Sequence, residues 1–219
     1  MSEVGQGSAR AEARPVSAIV LAGGRARRFG GDDKGLLLLD GRSLAAWVIE
    51  RLEGHAAEIL ISANRNLSRY AALGHLVAPD HLPDFPGPLA GLLSAARTAR
   101  HEWLLTVPCD APFLPLDLVM QLHNHASVSQ APLVRAADEA GTHFAIMLVH
   151  RDLIPDLETY VAEGGRQVQA WQARHACETL YFGNDPYAFL NVNTPDDLKT
   201  AVRVARRYRR GSGISGVFV

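Results

Sequence analysis

Apolar and polar positions alternate along the chain in blocks whose lengths distinguish strands from helices. Residues 16–21 are a short apolar run closed by Gly23 and Gly24, which reads as a buried first strand followed by a loop. Residues 44–52 carry helical spacing behind Ser43, a good N-cap. Further strands are expected at 58–62, 76–78 and 102–107, the last stopped by Pro108. Between them, residues 88–99 read as a helix with Pro88 in its first turn. Residues 115–123 read as a helix, 132–136 and 144–149 as strands, 152–162 and 166–172 as helices, and 178–182 as a strand. A closing helix is expected at 195–206, with Asn193-Thr194-Pro195 supplying its cap and first-turn proline.

Strand and helix alternate through the first half. Parallel neighbours need crossover helices, so the pattern predicts an α/β fold: a single Rossmann-like domain with a mostly parallel central sheet and helices on both faces. The less regular second half is expected to add an antiparallel edge. The length of 219 residues, with 47% hydrophobic and 21% charged residues, suits one such domain with a full core. The reading divides the chain into a disordered N-terminal extension (1–14), the domain (15–206) and a flexible tail (207–219). At the junction of domain and tail, Arg206, Arg207, Arg209 and Arg210 read as a solvated helix end.

Bulk chemistry removes several classes. A net charge of −1 argues against nucleic acid as a partner. The two cysteines, Cys109 and Cys177, lie far apart in no CxxC pair, so a disulfide framework or zinc knuckle is not expected and a reducing compartment fits. No run is long and apolar enough for a membrane span, and the N-terminus lacks the apolar core of a signal peptide, so a cytoplasmic protein is expected.

The most informative stretch follows the first strand. Gly23, Gly24, Gly30 and Gly31 are interleaved with Arg25, Arg27 and Arg28 and followed by Lys34. Glycines let backbone amides approach a ligand closely, and ligands of open α/β sheets bind at the carboxyl ends of strands. A polyanion cradle results, and a triphosphate is its natural guest. It is not a Walker A loop, because Lys34 stands between Asp33 and Gly35 rather than before Ser or Thr, nor is it a GxGxxG fingerprint. The plain alternative is a surface loop with solvated arginines.

Carboxylates and amides follow the other strands. Asp110 stands just past the strand at 102–107, between Pro108 and Pro112, where a fixed carboxylate suits Mg²⁺ shared with substrate phosphates. A turn aspartate bonding its own backbone is the bland reading. Asp80 follows the strand at 76–78 and suits a ribose, a base or metal support. Asn64 follows the strand at 58–62, where its amide can read a base edge, though both residue types are also common in turns. The segment 86–91, PGPLAG, opens a helix whose first amides can face an anion, or simply initiates it, with Gly91 allowing close packing.

These residues fall into longer motifs: LAGGRARRFGGDDKGLLLLDGRSL (21–44), SANR (62–65), APD (78–80), FPGPLAGLL (85–93), VPCDAPFLP (107–115) and FLNVNTPDDL (189–198). With them the chain resembles the molybdenum cofactor guanylyltransferase (MobA) family over nearly its whole length. The resemblance implies transfer of GMP from Mg·GTP to the phosphate of molybdopterin, with release of pyrophosphate. It implies GTP contacts from Leu21, Ala22, Gly23, Lys34, Asn64, Asp80 and Asp110, with Mg²⁺ on Asp110. Gly31 and Arg28 belong to the same loop, and Lys34, Arg28 and Asp110 would carry catalysis. Asn191 and Asn193 look like the pterin-side residues. Two departures stand out: Phe29 where the family often has Met, and Thr142-His143-Phe144, which keeps the family's His but lacks the proline after it. A monomer is expected, and transient contact with other cofactor-biosynthesis or acceptor proteins is compatible with this reading. The alternatives are a related cytidylyltransferase or sugar-phosphate nucleotidyltransferase, and a nucleotide-binding module without turnover.

Overall fold

A computed structural model describes residues 14–22, 33–79, 87–183 and 185–211. In chain order, the strands are β1 (Arg14–Leu21), β2 (Leu38–Leu39), β3 (Arg42–Ser43), β4 (Ala56–Ser62), β5 (Leu76–Ala78), β6 (Trp103–Pro108), β7 (Leu133–Asp138), β8 (Gly141–His150) and β9 (Cys177–Tyr181). The helices are α1 (Leu44–Leu52), α2 (Leu67–Ala71), α3 (Pro88–Ala96), α4 (Leu118–Ser129), α5 (Ile154–Ala162), α6 (Val168–Gln172) and α7 (Pro195–Gly211).

Seven of these strands form one sheet in the order β5-β4-β1-β6-β8-β7-β9. The four from β5 to β6 are parallel, as the alternation of strand and helix predicts. The expected antiparallel edge is corrected: β8 runs antiparallel to both of its neighbours, β6 and β7, but lies inside the sheet, and β9 closes the edge parallel to β7. A tight turn at 139–140 makes β7 and β8 a hairpin, which reverses one strand without a crossover.

Period-two alternation sends side chains to opposite faces. Val16, Ala18 and Val20 of β1, with Ile59 and Ile61 of β4 and Leu105 and Val107 of β6, pack under α1, α2 and α4. Ile19, Leu60 and Leu104 point the other way, under α3, α5 and α6. Both faces of the sheet are therefore covered. A third cluster joins α7 to the β2–β3 hairpin through Leu39, Leu44, Trp47, Phe113, Val192, Ala201, Val204 and Ala205. The sequence boundary at Arg206 falls within α7, which continues helical to Gly211. Residues 1–13 and 212–219 of the two expected extensions lie outside the described residues.

The caps match local chemistry. Ser43 Oγ accepts from the Ala46 amide at 3.2 Å to open α1. Thr194 Oγ1 accepts from the Asp197 amide at 3.2 Å, while Asp197 Oδ2 accepts from the Thr194 amide at 2.8 Å. That reciprocal pair starts α7 and fixes the segment before it.

Candidate functional site

Strands β1, β4, β5 and β6 end at one edge of the sheet, and their exits build the site. Leu21, Ser62, Ala78 and Pro108 close these strands in adjacent registers. Backbone bonds tie the exits together: Cys109 N donates to Leu21 O at 3.1 Å, and Ala22 N donates to Ser62 O at 2.7 Å. Helix α3 begins close over the same edge. A Cβ on Gly91 would lie 2.7 Å from both Leu21 Cδ2 and Ser62 Oγ, so only glycine lets the helix approach this far. The close packing expected at Gly91 is therefore present.

Lys34 and Asp110 meet there. The Lys34 ammonium forms a salt bridge with Asp110 Oδ2 and donates to Asn193 Oδ1 at 2.6 Å. These three residues are widely separated in sequence and reach the contact from three elements. Lys34 opens a 3-10 turn at Lys34–Leu36, Asp110 follows β6, and Asn193 precedes α7. The Asp110 and Lys34 side chains are only 12% and 17% exposed, so the pair lies in a recess rather than on the open surface. The segment bearing Asn193 is anchored twice. Val192 N donates to Asp110 O at 2.9 Å, and Asn193 N donates to Asp197 Oδ2 at 2.9 Å. Burial works against ionisation of Asp197, but the bonds from Thr194 and Asn193 and the charge of Lys34 hold its carboxyl below the usual range.

Asn191 is half-buried and donates to Phe189 O at 3.3 Å, one residue from the Val192 anchor. On the hairpin beside it, His143 Nε2 lies 2.9 Å from Asp138 Oδ1, and its ring packs on Phe189 with centroids 4.6 Å apart. Without a following proline, His143 sits where β8 slips register against β7, and its partner across the strands is Ala136. Asn64 is exposed just past β4, while Ala22 is buried and Leu21 half-buried at the end of β1. Gly23, Arg28, Gly31 and Asp80 lie outside the described residues.

Sequence reading overlooked Asp33. It is 9% exposed, and both carboxylate oxygens are taken: Tyr70 OH donates to Oδ1 and Asn66 Nδ2 donates to Oδ2 at 2.9 Å. The available signal was the chain position of Asp33, an acid directly before the lysine of the loop. Next to the site, Cys109 is buried. Burial pushes its thiol pKa up, with the Asp110 and Asp33 charges adding to the rise, so it is a packing residue and not a nucleophile.

Among the described residues no group of three or more His, Cys, Asp and Glu is arranged to hold a metal. A protein-only metal cage is thus excluded there. The Asp110 carboxylate, 12% exposed at the strand edge and paired through Oδ2 with Lys34, is a single oxygen donor of the type a hard divalent cation takes.

Comparison with known proteins identifies the family. Residues 18–178 match the MobA-like NTP transferase domain. The molybdenum cofactor guanylyltransferase of Shewanella sp. (strain MR-4) is 41% identical over 181 residues, covering 83% of this chain and 92% of that protein. The crystal structure of molybdopterin-guanine dinucleotide biosynthesis protein A from Archaeoglobus fulgidus superposes with a TM-score of 0.71 at 21% identity, covering 87% of this chain and 99% of that one. CMP:2-keto-3-deoxy-manno-octonic acid synthetase complexed with CTP shares the fold with a TM-score of 0.70 at 16% identity, covering 90% of this chain and all of that one. With a family model spanning most of the chain and a relative this similar along nearly its full length, the chain belongs to the MobA-like NTP transferase family.

Proposed function

We propose that this protein transfers GMP from Mg·GTP to the phosphate of molybdopterin, releasing pyrophosphate. One observation carries the reading: Lys34, Asp110 and Asn193 converge at the carboxyl edge of the parallel strands, in a chain 41% identical to a molybdenum cofactor guanylyltransferase. Asn193 belongs to the segment assigned to the pterin side, and Lys34 and Asp110 to the nucleotide side. On that assignment, the bond from Lys34 to Asn193 supports two half-sites near one another, as a transfer between two bound substrates requires.

The acceptor is a phosphate oxygen, already anionic at neutral pH, so no strong general base is needed. That oxygen forms a new bond to the α-phosphorus of GTP. The bond from the α-phosphorus to the bridging oxygen breaks, and its electron pair leaves with pyrophosphate. Catalysis then consists of positioning and charge neutralisation. Lys34 and Arg28 offset the charge that grows on the departing pyrophosphate, amides of the loop that follows β1 hold the phosphates, and Leu21, Ala22 and Gly23 contact the guanine nucleotide. Asn64 and Asp80 orient the base and ribose. Asn191 and Asn193 orient the pterin phosphate. Asp110 would hold Mg²⁺, which when bound neutralises phosphate oxygens and makes the α-phosphorus more electrophilic.

We assign the protein to the cytoplasm and expect a monomer. The free thiols Cys109 and Cys177 are consistent with a reducing compartment, and no described helix is long and apolar enough to cross a membrane.

Isothermal titration with GTP, CTP, ATP and UTP, each with Mg²⁺, tests the nucleotide assignment. GTP is expected to bind in preference to the other three, and Lys34→Ala to weaken it at least tenfold, as loss of a charged hydrogen-bonding group does. Preference for CTP would move the protein to a cytidylyltransferase activity on the same fold.

A further inference from the structure

The position of Lys34 is set by groups outside the proposed chemistry. The residue before it, Asp33, is an almost fully buried carboxylate with two donors, Tyr70 OH and Asn66 Nδ2. Both donors come from the segment that follows β4. Tyr70 is completely buried at the end of the five-residue helix α2, and burial beside Asp33 pushes its phenol pKa up, so it stays a hydrogen-bond donor. Asn66 opens the same helix from a left-handed backbone conformation (φ 51°, ψ 35°), which asparagine adopts more readily than most residues. Its carbonyl accepts from the Arg69 and Tyr70 amides at 2.9 and 3.1 Å, while its side chain reaches Asp33.

The 3-10 turn closes on this anchor. Leu36 N donates to Asp33 O at 3.0 Å, and Leu37 N donates to Lys34 O at 3.2 Å. Gly35 presses against the same phenol: a Cβ there would stand 2.5 Å from Tyr70 OH and 3.2 Å from Cys109 Sγ. The turn is thus clamped from below, and Lys34 is the side chain it projects to Asp110 and Asn193.

We propose that Asp33, held by Tyr70 and Asn66, is a positioning residue that fixes Lys34 for the nucleotide phosphates and couples it to the exit of β4, where Asn64 stands. The inference rests on the assignment of Lys34 to the nucleotide. Asp33 acts only through its neighbour: its Oδ1 and Oδ2 accept from Tyr70 and Asn66, and among the described residues no hydrogen bond joins it to Asp110. A carboxylate accepting two side-chain donors costs conformational freedom at three residues, and the return is a lysine with a fixed origin.

A double-mutant cycle separates this role from ordinary packing. Tyr70→Phe keeps the ring and removes one donor to Asp33. In the otherwise native protein it is expected to lower kcat/KM for Mg·GTP by about tenfold, the size of a lost hydrogen bond to a charged group. In a Lys34→Ala background the same change is expected to cost less than about twofold, because residues acting as one unit are not additive. Equal losses in both backgrounds, or no loss in the native one, would overturn the proposal. If Tyr70→Phe does not fold, Asn66→Gly carries the same cycle, since glycine retains the left-handed backbone and removes only the amide. Should Lys34→Ala alone leave kcat/KM unchanged, the nucleotide role of Lys34 fails and this inference with it. Equal losses in both backgrounds, with Lys34→Ala itself impaired, would refute the positioning role of Asp33 and leave the nucleotide role of Lys34 standing.

Discussion

Lys34 and Asp110 satisfy one another inside a recess, and a pair of this kind adds little to stability once the cost of removing both charges from water is counted. Its significance is geometric, because it holds one cation and one anion at the strand edge where substrates of this fold dock. Other titratable residues are removed from the chemistry by burial, as with the raised thiol of Cys109. His123 illustrates the same effect far from the site. Burial, with a further contribution from the Arg14 charge, lowers its pKa, its Nδ1 is buried with no hydrogen-bond partner among the described residues, and its ring meets Trp103 edge-on at 6.0 Å. A depressed folded-state pKa means that the fold prefers the neutral ring. Its contribution to stability is therefore complete above the unfolded value, near 6.5, and is lost as pH falls through the folded value. Urea unfolding between pH 7.5 and 5.5 is expected to show stability falling on acidification, with a shallower slope in His123→Gln. Parallel slopes would remove His123 as the cause.

At the scale of elements, legibility followed the length of the apolar pattern. The strands at β4 and β6 and the capped helix α1 were legible because each buries a run of apolar side chains, and the short β5 because Pro79 stops it. Helix α4 was expected at 115–123 but runs from Leu118 to Ser129. Pro115 resembles a first-turn proline, yet its carbonyl accepts from the Leu118 amide in a turn before the helix. The far end carries polar residues whose hydroxyls, at Ser127 and Ser129, bond back to the carbonyls of His123 and His125. Helix α2 was missed because five residues with a single buried side chain leave no period to read, and tertiary contact of Tyr70 sustains it. The two-residue strands β2 and β3 escaped notice for the same reason. The segment around Asn193 was legible as a helix start, and its cap has a measurable value. Asp197→Ala removes the acceptor for both the Asn193 and Thr194 amides. It is expected to cost about 1 kcal/mol, seen as a lowered urea midpoint at unchanged m-value. An unchanged midpoint would show that the segment is held by Val192 alone.

For the molecule as a whole, function follows from how the sheet is ordered. Placing β1 between β4 and β6 brings three strand exits together, and two of them carry Asn64 and Asp110. The inserted antiparallel strand β8 moves the β7–β8 hairpin, with His143 and Asp138, alongside Phe189 and the segment of Asn191 and Asn193. Sequence identified the residues at these exits but not which of them touch, since the contact of Lys34 with Asp110 and Asn193 depends on strand order and on the path of α7. In the proposed function the nucleotide side lies on the parallel half and the acceptor side on the mixed half. The most direct test of that account is pyrophosphate release from Mg·GTP by the purified protein with molybdopterin supplied as acceptor, compared with Asp110→Ala. Acceptor-dependent release from GTP is expected from the native protein. A correctly folded Asp110→Ala is expected to lose about a hundredfold or more, as on removing a group that stabilises charge in the transition state. Native-like release by Asp110→Ala, or release from CTP in preference to GTP, would contradict it.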